Sequence, residues 1–188
     1  MTISTSALQQ KNAKHLIQSF SDLSYINKPE ETHIISRADG VYIYDNDGKK
    51  ILDSMSGLWC VNMGYGQQSI IKAVNEQMKE LVYYNNFFGS SHPSAIKLSE
   101  MIADKTPEGM NKVYFCGSGS EANDTVVRLT RHYWSAKGKP SKSVIISRKN
   151  AYHGSTMAGA SLGGMSAMHA QGGLPIADIE HVEQPSIM

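Results

Sequence analysis

The sequence predicts an α/β fold, and three observations carry that reading. Apolar positions recur at helical spacing over residues 69–81 and 93–106. Two short apolar runs, 113–116 and 143–147, read as buried strands, and a glycine-rich loop followed by a helix joins them. The chain's 188 residues are 40% hydrophobic, enough to bury a core. Its 18 basic and 17 acidic side chains leave a net charge of +1, so no global field attracts nucleic acid or an anionic membrane surface. No stretch approaches the roughly 20 apolar residues that cross a bilayer, and the polar residues 1–10 lack the apolar run of a secretory signal. Cys60 and Cys116 lie in apolar surroundings without metal-ligand spacing, which predicts buried, reduced thiols in a cytoplasmic protein.

Taken in order, residues 7–23 place Ala13, Leu16, Ile17 and Phe20 at helical spacing, predicting a short peripheral helix that enters a loop around Pro29. Residues 40–53 hold two strand-like runs about Asn46-Asp47-Gly48, a β-hairpin signal because asparagine and glycine tolerate positive φ. Over 69–81, Ile70, Ile71, Val74, Met78 and Leu81 form one apolar stripe, predicting a helix that lies on a core. The 93–106 helix repeats the pattern through Ile96, Leu98, Met101 and Ile102 and is stopped by Pro107 and Gly109. Val113-Tyr114-Phe115-Cys116 then leads into Gly117-Ser118-Gly119-Ser120-Glu121-Ala122-Asn123, and a helix is expected over 122–136. Gly138 and Pro140 break it, and 143–147 supplies a second strand, giving a βαβ unit with a parallel pair. Residues 153–173 are rich in Gly, Ala, Ser and Met and fit either a closely packed helix or loops, and the lysines over 128–149 read as solvated helix and loop charges.

A glycine loop between strand and helix lets backbone amides approach an anion at the positive end of the helix. The same residues also read as a capping box, with Ser118 capping and Glu121 bonding back, and the two readings hold together. Gly117-x-Gly119-x-x-Ala122 meets the loose dinucleotide fingerprint as well, but residues 125–177 contain no Asp or Glu to bind a ribose. Arg148 leaves a 2′-phosphate version of that site open, and the Gly-Lys-Ser/Thr ending of a nucleotide P-loop is missing.

Four segments together resemble the class III, or omega, aminotransferases of pyridoxal-phosphate fold type I. They are Asp45-Asn46-Asp47-Gly48 running to Leu52-Asp53, the stretch from Ser56 to Gly66, the cup from Gly117 to Asp124, and Tyr152-His153-Gly154. The resemblance covers about residues 37–184 and is nearest the amine or omega-amino acid–pyruvate branch, because Tyr65 and Gln67-Gln68 stand where other branches carry histidine and His-Pro. It implies that Ser118, Gly119 and Ser120 hold the phosphate of pyridoxal 5′-phosphate. Tyr152 would stack on the pyridine ring with His153 beside it, residues that otherwise read as a core tyrosine and a hydrogen-bonded structural histidine. Trp59, Phe87 and Phe88 would line the substrate pocket, the phenylalanines across a homodimer interface, and ordinary core packing is the alternative reading.

The resemblance further implies an incomplete fold, with residues 1–55 as the N-terminal helix and β-hairpin of the small domain and 56–188 as the first part of the cofactor-binding large domain. The expected reaction moves an amino group from a small-molecule amine or omega-amino acid to pyruvate or another 2-oxo acid. None of the 14 lysines matches the family's Schiff-base lysine, so the chain is expected to be inactive alone. Ser186-Ile187-Met188 departs from the family pattern, which is read as a frameshift or premature stop. A non-catalytic interaction fragment and a nucleotide-binding oxidoreductase domain are the competing functions.

Overall fold

In the computed structural model, which describes residues 3–22, 24 and 28–185, helix α1 (Thr5–His15) starts where the Ser4 hydroxyl accepts the Ala7 amide. It ends at Leu16, whose backbone is extended, rather than running on towards residue 23. Leu16, Ile17 and Phe20 are 55%, 81% and 71% exposed, so further helical turns there bury little apolar surface to hold them. Leu23, the expected end of that helix, lies outside the described residues, as do the divergent residues 186–188. Polar bonds anchor α1 instead: Gln9 donates to the Thr32 carbonyl at 3.0 Å, and the Thr5 hydroxyl donates to Asp47 at 2.6 Å.

The chain divides into two units, residues 1–92 and 93–188. In the first, β1 (Ile35–Asp39), β2 (Tyr42–Asp45) and β3 (Lys50–Leu52) form an antiparallel sheet in that order. The expected hairpin is β2–β3: Asp45 Oδ1 accepts the amides of Asp47 and Lys49, and Gly48 supplies φ +87°. β1 is an addition, since its Ile-Ser-Arg-Ala-Asp sequence lacks clear alternation. Arg37 lies 3.6 Å from the Tyr44 ring centroid and Lys50 lies 3.8 Å from that of Tyr42. Helix α2 (Gln68–Glu80) forms as expected, but its stripe is not covered: Ile70, Ile71, Val74 and Met78 are all exposed.

In the second unit, α3 (Pro93–Ala103) precedes α4 (Gly119–Ala136), β4 (Ile145–Arg148), α5 (Met157–Leu162), α6 (Ser166–His169) and β5 (Ile179–Val182). The parallel pair exists with a different partner than expected. β4 pairs with β5, Ile145 opposite Ile179, whereas residues 113–116 form no strand because nothing among the described residues pairs with them. The core gathers Val127, Ala158, Leu162 and Ile179, with Ile145 and Ile176 packed against it. The Ser161 hydroxyl, fully buried, donates to Met157 O at 2.6 Å and accepts the Ile176 amide at 3.0 Å. The Gly163 carbonyl faces Nε2 of both His169 (2.6 Å) and His181 (2.9 Å); since a carbonyl only accepts, both rings carry their proton on Nε2.

The two thiols also depart from expectation. Cys60 is exposed and Cys116 half-buried, because no apolar layer closes over either segment. Arg131 is half-buried and donates to the carbonyls of Ser143 at 3.3 Å and Ala177 at 2.7 Å, tying α4 to the segments that enter β4 and β5. The chain exposes 14,916 Å². Two separate globules, each of half its 20.6 kDa, would expose about 5,400 Å² apiece by area–mass scaling, so the chain exposes more surface than two such globules would. Among the described residues no helix is long and apolar enough to cross a membrane.

Candidate functional site

The glycine loop becomes a cup through its hydrogen bonds. Ser118 is the extended residue before α4, and its hydroxyl oxygen accepts the Glu121 amide at 3.1 Å. The Glu121 carboxylate turns back to the Gly117 amide at 2.7 Å, one residue earlier than the capping box predicts. The amides of Ser118, Gly119 and Ser120 have no hydrogen-bond partner among the described residues, so three donors face outward at the positive end of an 18-residue helix. Ser118 and Ser120 both use their hydroxyl oxygens as acceptors, the latter from the Ser155 amide at 3.1 Å, which leaves each hydroxyl proton to be donated. A side chain at Gly119 would meet nothing within 4 Å, so the loop is open to a ligand there. Amide and hydroxyl donors with no cation fit a phosphate group, and the residues expected for the pyridoxal phosphate end are brought together.

The segment 152–156 is fastened to this cup. Gly154 lies so close to Ser120 that a Cβ would stand 2.6 Å from Oγ and 2.9 Å from Cα, and its φ of +132° belongs to glycine. Asn123 Nδ2 donates to the His153 carbonyl at 2.6 Å. Asp124 Oδ1 accepts the Thr156 hydroxyl at 2.5 Å and the Gly159 amide at 3.0 Å, and Thr156 caps α5. Tyr152 and His153 are therefore presented beside the cup, both exposed, Tyr152 by 54%. Sequence reading missed the roles of Asn123, Asp124 and Thr156. The available signal was two poor helix formers at adjacent positions inside α4, which propensity alone does not account for.

A cleft of about 790 Å³ opens at the carboxyl ends of β4 and β5, where parallel sheets take ligands, and its lining includes Arg148, Asn150, His153 and the Lys149–Glu183 ion pair. The remaining expected site residues lie in the other unit. Trp59 ends a turn in which Ser56, Gly57, Leu58 and Trp59 all have positive φ, between 48° and 63°, a left-handed path costly for side-chain-bearing residues. Asp53 Oδ2 holds that turn by accepting the Gly57 amide at 2.8 Å and the Tyr65 hydroxyl at 2.7 Å. The Asp53 hydrogen bond, then desolvation and the carboxylate's charge, raises the Tyr65 pKa above its ordinary value. Phe87 and Phe88, with ring centroids 6.0 Å apart, are both strongly exposed, and Phe88 also has positive φ (55°).

The aminotransferase class-III family model matches residues 25–188. The chain belongs to the class III aminotransferases. It is 54% identical over 177 residues to a putrescine–pyruvate aminotransferase of Pseudomonas aeruginosa, covering 94% of this chain and 39% of that protein. A diaminobutyrate–2-oxoglutarate transaminase of Halomonas elongata is 41% identical over 152 residues, 81% of this chain and 32% of its own length. Among solved structures, a transaminase from the marine bacterium Virgibacillus superposes with a TM-score of 0.90 at 39% identity, over 95% of this chain and 40% of that one. The omega transaminase of Pseudomonas jessenii in complex with PMP gives 0.90 at 38% identity, over 95% of this chain and 39% of that one. This class III chain thus spans about two-fifths of the length of that Pseudomonas aeruginosa relative. The nucleotide-binding oxidoreductase reading ends with that family assignment.

Proposed function

We propose that this chain supplies the phosphate end of a pyridoxal 5′-phosphate site in an aminotransferase that moves an amino group from an amine or omega-amino acid to pyruvate or another 2-oxo acid. The observation that carries the reading is the cup itself: three open amides and two donor hydroxyls at a helix start, fastened to Tyr152-His153-Gly154. Ser118, Gly119 and Ser120 bind the phosphate, Tyr152 covers one face of the ring, and His153 completes that wall. When bound, the cofactor supplies the electron sink that amino transfer requires. The lysine that carries it is not among the 14 of this chain, so these residues bind and orient without performing the transfer alone.

Trp59, Phe87 and Phe88 form the apolar side of the substrate pocket in the complete enzyme, and their exposure supports a role completed by other polypeptide. The phenylalanines belong to a homodimer interface, residues 1–55 to the small domain, and 56–188 to the large domain. The enzyme works in the cytoplasm. Similarity to the putrescine–pyruvate enzyme favours an amine donor and a pyruvate acceptor.

Calorimetric titration with inorganic phosphate and with pyridoxamine 5′-phosphate tests the cup. Ser120→Asp places a carboxylate among the amides and is expected to weaken both by at least about tenfold. Unchanged binding of both ligands in that variant would refute the assignment.

A further inference from the structure

Asn123 and Asp124 stand inside α4, where asparagine and aspartate are poor helix formers, and neither contributes to the open face of the cup. Both reach the segment that follows Tyr152. Asn123 Nδ2 fixes the His153 carbonyl at 2.6 Å. One residue on, Gly154 rests on Ser120 with no space for a Cβ, and then the Ser155 amide bonds Ser120 Oγ at 3.1 Å. Beyond that, Asp124 takes the Thr156 hydroxyl and the Gly159 amide on one oxygen. The peptide between residues 153 and 154 is thereby held at its oxygen by Asn123 and at its glycine by Ser120.

We propose that Asn123 is a positioning residue that sets where the Tyr152-His153 wall stands relative to the phosphate cup, with Asp124 and Thr156 anchoring the far end of the same segment. The inference rests on the proposed pyridoxal phosphate reading. It gives Asn123 no contact with the cofactor: the residue acts through the backbone of His153. A ligand that touches only the cup is indifferent to this clamp, whereas one that spans cup and wall depends on it, because stacking falls off when the two surfaces lose register.

The test compares two ligands on the full 188-residue chain by calorimetry. Inorganic phosphate reads the cup alone. Pyridoxamine 5′-phosphate reads cup plus wall, and, having no aldehyde, it cannot condense with lysines. Asn123→Ala is expected to weaken pyridoxamine phosphate about tenfold while phosphate stays within about twofold. Thr156→Val is expected to act in the same direction, and Thr156→Ser, which keeps the hydroxyl for Asp124, to bind as the unaltered chain does. The Thr156 pair decides the matter if Asn123→Ala does not fold. Equal loss of both ligands, or loss of neither, in these variants overturns the inference alone. An unaltered chain that binds neither ligand overturns the cup reading and the inference with it.

Discussion

Replacing Gly154 by alanine puts the packing of the site to its most direct test. The alanine Cβ would stand 2.6 Å from Ser120 Oγ and 2.9 Å from both Ser120 Cα and Cβ, distances that side chains do not tolerate. The φ of +132° adds backbone strain of about 1–3 kcal/mol for a residue with a Cβ. Overpacking against α4 adds about 1–3 kcal/mol more, so the segment should lose about 2–6 kcal/mol of local stability. Amide hydrogen exchange followed by mass spectrometry reads this locally and does not require a global melt. The amides to watch are Gly159, bonded to Asp124, and Ala160, bonded to Thr156 O at 2.7 Å, at the start of the most buried helix. Their protection should fall at least about tenfold. Adding Ser120→Gly removes Oγ and Cβ from the collision and should recover part of the loss, leaving the strain and the contact with Cα. Protection within about twofold of the unaltered chain in Gly154→Ala would show that the segment and the cup are not packed as described.

Other outcomes follow from the same geometry. Asp124→Ala removes the acceptor of two half-buried donors and should destabilise α5 by about 1–3 kcal/mol, read as faster exchange over residues 157–162. Tyr65 has a raised pKa in the folded chain, so its contribution is fully present below the unfolded value, about 10, and is lost as pH rises through the raised folded value. Ultraviolet titration of the tyrosines should show a late-ionising group that disappears in Tyr65→Phe and ionises earlier in Asp53→Asn; an identical titration in all three chains would refute the assignment. Substituting Gly164 by alanine drives a Cβ into the carbonyl of Arg148 and within 2.5 Å of Lys149 Cα, so it should abolish protection in β4; retained protection would contradict the packing. Exposed Val82, Tyr83, Phe87 and Phe88 predict concentration-dependent association in sedimentation, reduced by Phe87→Ser with Phe88→Ser, and a concentration-independent monomer would count against the interface reading.

Local signals were legible where a residue's conformation is decided by its near neighbours. Asn46-Asp47-Gly48 carries its own turn chemistry, Ser118 its own cap, and α2 and α3 their own periodicity, so the hairpin and those helices form as the sequence implies. Signals that need a distant partner failed. A strand is a relation between two segments, and the apolar run at 113–116 meets none among the described residues, while 179–182, which hardly announces itself, pairs with β4 across thirty residues. The apolar stripe of α2 specifies a face that must be buried without saying by what, and here it stays exposed.

The candidate site divides along the same line. Glycine spacing and the Tyr-His-Gly segment were readable as separate pieces, each compatible with several functions. What joins them is a set of side-chain bonds, from Asn123 to a carbonyl thirty residues later and from Asp124 to Thr156 and Gly159, that no local pattern encodes. On the proposed reading, those bonds are also what would make this helix start more than a generic phosphate site. A bare helix N-terminus fixes one end of a ligand and leaves the rest free to swing. A helix start fastened to an aromatic segment fixes a plane as well as a point, which a flat, phosphorylated ring requires and inorganic phosphate does not.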